Sequence, residues 1–138
     1  MNLEARCDAI EACYEFMLAY AAQGLADDVG SPSGSQVREL LRSAAAALSG
    51  LAETYEAAVR RESLEPAERY QAFIAVLDRD ARSALAAIEL VLAQPGISSQ
   101  LIDNLNASIH LRALLTDLFL LDEILKLQRI RAQSVTSN

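Results

Sequence analysis

The sequence predicts an all-α protein: a single antiparallel, up-down-up-down four-helix bundle of long helices, dimerising through the last one. Three observations carry this expectation. Apolar residues recur at steps of three and four over long segments, the spacing that lines one face of a helix, and no alternating strand pattern lasts beyond a few residues. The chain is 52% hydrophobic but only 5% aromatic, without tryptophan, so its apolar content is mostly Ala and Leu, both strong helix formers. Its five glycines and three prolines are few and concentrate where the periodicity stops. At 138 residues it forms one domain, 1–138, long enough to bury a core without staples.

The first helix is expected from about Leu3 to Gln23. Leu3, Cys7, Ile10, Tyr14, Met17 and Ala21 face inward, and Glu4, Asp8, Glu11 and Glu15 form an acidic outer line. That line could dock a basic partner, but a solvated face is the simpler account. Gly24 to Ser35 (GLADDVGSPSGS) holds three glycines, a proline and two aspartates and is expected to be a mobile loop, 24–35. Ser35 then caps a second helix running to about Glu62, whose stripe includes Val37, Leu41, Ala44, Leu48, Leu51, Tyr55 and Val59. Gly50 falls inside it, at a cost of about 1 kcal/mol relative to Ala. Ser63 to Pro66 opens the third helix with proline in its first turn. Tyr70, Phe73, Leu77, Ala81, Ala84, Ile88 and Val91 face inward along it to about Ala93. Gln94-Pro95-Gly96-Ile97 stops it, and Ser98 or Ser99 caps a fourth helix reaching about Arg131. The polar tail, 132–138, is expected to fray.

The fourth helix organises the chain. From Leu101 to Leu127 it carries two apolar lines where a surface helix needs one. One runs Leu111, Leu114, Leu118, Leu121, Leu125. The other runs Ile102, Leu105, Ile109, Ala113, Thr116, Leu120, Ile124, Leu127. One line should serve the chain's own core and the other a partner. The first line is the expected protein interface, because a two-fold contact would bury an apolar stripe too large for a monomer to expose.

The net charge of −7 argues against a nucleic-acid binder, which needs a basic face, and against docking on anionic membranes. All basic residues but Lys126 are arginine, which with the abundant alanine suggests a GC-rich bacterial source. The N-terminal MNLEARCDAIE is charged and amphipathic, unlike a secretory leader, and apolar runs such as Leu118 to Leu121 are far too short to span a bilayer. Cys7 and Cys13 lie six apart on one helix, about 120° round its axis, so they cannot bridge each other. Two unpaired cysteines fit a cytoplasmic location.

Motifs for chemistry are sparse. Di-iron bundles need Glu-x-x-His pairs, and the single histidine is His110. Clustered zinc ligands, phosphate-cradling glycine motifs and nucleophile elbows do not occur in the sequence, so no cofactor, metal or catalytic set is expected. One polar passage stands out: Asp103, Asn104, Asn106, Ser108, His110 and Arg112. It is either a partner-contact patch or a polar layer fixing helix register, with Asp80 level with Arg112 and able to pair with it. The expected function is therefore a non-enzymatic protein-interaction module: an adaptor, assembly chaperone or regulatory subunit. The alternative is a small-molecule or cofactor-binding bundle with Tyr14, Tyr20, Tyr55, Tyr70 and His110 as polar handles in an apolar core.

Overall fold

The computed structural model describes residues 1–136, and those residues are all-helical, with no strand among them. Six helices follow in order: α1 (Leu3–Ala22), α2 (Pro32–Leu48), α3 (Leu51–Arg61), α4 (Ala67–Leu92), α5 (Ser99–Ala107) and α6 (Ile109–Thr136). Two helices expected to be continuous are therefore each divided. The expected frayed tail is helical through Thr136, and 137–138 lie outside the described residues.

The first division is at Gly50, which takes a left-handed φ of +86°, a conformation that glycine adopts without steric cost. The helix end it creates is closed from another element. The Arg6 guanidinium on α1 donates to the carbonyls of Ala47 at 3.0 Å and Ser49 at 2.6 Å, supplying donors to the unpaired end of α2. The second division is at Ser108, whose extended backbone ends α5, while its Oγ accepts from Leu111 N at 3.3 Å to begin α6.

α1 packs chiefly on α2 and α5, and α4 packs on α2, α3 and α6. The core between them is aliphatic, with Met17, Val37, Leu41, Leu51, Leu77, Ile88, Ile102 and Leu114 fully enclosed. Each such side chain contributes roughly 1.5–3 kcal/mol of burial. Ala44, Ala47, Ala81 and Ala84 are buried among them and let the backbones approach closely.

The segment expected to be a mobile loop is tied down instead. α2 begins at Pro32, three residues before Ser35, because Ser31 caps it by accepting from Gly34 N at 2.9 Å and proline suits the first helical position. Asp28 is buried and accepts from Arg38 and, at 2.7 Å, from Ile97 N. Arg38 also donates to Leu92 O at 3.2 Å and Gln94 O at 2.9 Å. Ser99 accepts from Leu25 N at 2.8 Å and donates to Tyr20 O at 2.6 Å, and Tyr20 donates to Ile97 O at 2.6 Å. One buried ion pair and six surrounding hydrogen bonds thus fasten this segment to the turn between α4 and α5.

Candidate interaction surface

The line on the last helix expected to face a partner is the one that the chain buries. Leu111, Leu114, Leu118, Leu121 and Leu125 are all buried in the chain's own core. The assignment of these five to a partner interface is therefore corrected: α6 turns them toward α4, and a partner could reach them only by opening the fold. The physical reason is the break at Ser108. It turns α6 independently of α5, so the second line is no longer one face. Ile102 and Leu105 stay with α5 and are buried, while Ile109, Leu120 and Leu127 point away from the core.

Those three are joined by Phe119 and Ile130. The five are between 47% and 75% exposed, and they follow helical spacing along one side of a 28-residue helix. Ala113 and Ile124 are half-buried at its margin, and Thr116, Glu123 and Arg131 interrupt it. Isolated exposed leucines are ordinary, but five large apolar residues aligned on one face are not.

The expected polar patch is dispersed. Ser108 serves as the cap of α6. Asn104 accepts from Gln100 at 3.1 Å, and Asp103, His110 and Arg112 are exposed. Asn106 is half-buried, with its Oδ1 enclosed and without a hydrogen-bond partner. Asp80 does not pair with Arg112. Its neighbour is Asp117 on α6, a buried carboxyl that lies about 140° round the helix from Arg112. Burial first, then Asp80, pushes the Asp117 carboxyl well above the usual carboxylate range. Sequence spacing missed this pair because Asp117 reads as one more charge beside a leucine line.

Two polar handles of the alternative reading, Tyr20 and Tyr55, are fully buried and satisfied. Tyr55 donates to Asp122 at 3.4 Å and lies 3.6 Å from the Cys7 Sγ, and these two neighbours line a surface cleft of about 590 Å³ between α1 and α6. Glu4, Asp8 and Glu11 form one wall of the cleft and Lys126 and Arg129 stand on the other. Burial raises the Glu11 carboxyl, with Asp122, Asp8 and Glu15 adding to it. Burial also raises the Cys7 thiol to about 11 and the Cys13 thiol to about 12, so neither is a thiolate at neutral pH. Tyr14 is half-buried, and Tyr70 lines a shallow groove with Pro66, Arg69 and Phe73.

Among the described residues there is no group of three or more His, Cys, Asp or Glu that could hold a metal ion, and no helix is long and apolar enough to cross a membrane. Set against the known protein families, the curated proteins and the solved structures, the chain matches none, so its surface and chemistry are the guide to its function.

Proposed function

We propose that the chain is a non-enzymatic, cytoplasmic protein-interaction module that binds through the outward face of α6. The observation that carries this is the row Ile109, Phe119, Leu120, Leu127 and Ile130, apolar and exposed along one helix side. Covering such a face with a partner removes it from water, at roughly 25 cal/mol per Å² of apolar area. The proposal includes the architecture that presents the face: α2 with α3, and α5 with α6, act as two jointed rods and complete a four-rod antiparallel bundle with α1 and α4. Both halves of the first rod pack on α4, as do both halves of the second, which supports that arrangement. Self-association through the last helix uses this outward face and not the leucine line.

The test separates the two faces of one helix. Leu120→Glu with Leu127→Glu should leave the melting temperature within a few degrees of wild type and abolish association, read by sedimentation and by capture of a stoichiometric protein partner. Leu118→Glu should unfold the chain, because it buries an unpaired charge. A double variant that keeps full association, or a wild-type chain that is monomeric and captures nothing, overturns the proposal.

A further inference from the structure

The contact between α4 and α6 contains a pair of like charges. Asp117 is 6% exposed, and its Oδ2 is enclosed with no hydrogen-bond partner. Asp80 of α4 lies within hydrogen-bonding reach of it. Burial and Asp80 are what act on the Asp117 carboxyl, and among the described residues no ion pair includes either aspartate. Of the other charged groups nearby, Arg82 on α4 is engaged with Asp78 at 2.9 Å, Arg79 is exposed, Asp103 is the one ionisable group on α5, and His110 and Arg112 at the start of α6 are exposed. Two carboxylates cannot both stay ionised in such a place without repulsion, whereas one shared proton turns the repulsion into a hydrogen bond.

We propose that the Asp80–Asp117 pair is a proton-operated latch between α4 and α6: with one shared proton it clamps the helices together, and with none it loosens the middle of α6. The sign follows from linkage. The folded chain holds this proton to higher pH than the unfolded chain does, so the latch's contribution is complete below about pH 4 and fades as the pH rises toward neutrality. The latch lies on the same helix as the outward apolar row, but it stands on its own geometry and does not require that row to bind anything.

The experiment follows the Asp117 side-chain carboxyl carbon by NMR across pH in the intact protein, with amide exchange protection along α6 measured beside it. The proposal expects Asp117 to titrate far above an ordinary aspartate and the protection of Ala113 to Leu121 to fall over the same interval. In Asp80→Asn an amide donor faces Asp117, and its titration should drop back toward the ordinary value. In Asp117→Asn the protection of α6 should lose its pH dependence at that step, while the separate upward shifts of Glu11 and Asp122 persist. Titration of Asp117 near pH 4 in the wild type, or unchanged α6 protection on both sides of its titration, overturns the latch.

Discussion

Single residues hold much of this fold in place, and Asp28 is the clearest case. It sits in a segment whose glycines, serines and proline read as loose chain, yet its carboxylate is buried against Arg38 and the Ile97 N–H. The Arg38 guanidinium, ahead of the backbone donors, holds its carboxyl well below the usual carboxylate range. Stability from this group is therefore present above the ordinary carboxylate pKa and lost as the pH falls below about 4. Asp28→Ala leaves a half-buried guanidinium without its partner and should cost roughly 3 kcal/mol, measured by denaturant unfolding at neutral pH. The same variant should show a shallower loss of stability in acid than wild type. Gly34 completes the site from the other side: a Cβ there would stand 1.9 Å from the Asp28 carbonyl oxygen. Gly34→Ala should therefore destabilise by roughly 1–3 kcal/mol, which thermal melting would detect. None of this is written in local sequence, because the partners of Asp28 and Gly34 are chosen by packing.

At the scale of elements, the sequence conveys where helices exist better than where they end. The stripes Cys7, Ile10, Met17 and Leu77, Ala81, Ala84, Ile88 are buried as their spacing predicts, because a 3.6-residue period leaves one face to choose. The joints were less legible. Gly50 reads as a tolerable blemish inside a helix, since the group that completes the break, Arg6, is distant in sequence. Ser108 reads as one polar residue among several, although it ends one helix and caps the next. Missing that joint is what exchanged the two faces of the last helix. The joint makes a quantitative prediction: Ser108→Ala removes the α6 cap and should cost about 1 kcal/mol. Amide exchange should rise at Leu111, whose N–H loses the Ser108 Oγ, and remain unchanged in α1.

For the whole molecule, the all-helical class was legible and the outward surface only half so. Two apolar lines on one helix signal more apolar surface than one core-facing stripe needs, but periodicity alone does not say which line meets the core. Six-helix packing decides it, by placing Leu114 and Leu118 inside and Leu120 and Leu127 outside. An exposed row of that kind should bind an environment-sensitive apolar dye in the native state, and Leu120→Glu with Leu127→Glu should abolish that fluorescence without altering the helical circular dichroism. The polar lock near α1 has a consequence of another kind, for how the chain comes to exist. Tyr20 and Leu25 find their partners at Ile97 and Ser99, more than seventy residues later. A chain growing from its N-terminus can pack α1 on α2 early but carries them without this polar lock until Ile97 and Ser99 have been made, and then closes one long loop at a stroke. A ribosome-bound chain stopped before Ile97 should be cut by protease between α1 and α2, and one extended beyond α5 should resist. The protein's first third is finished by its last.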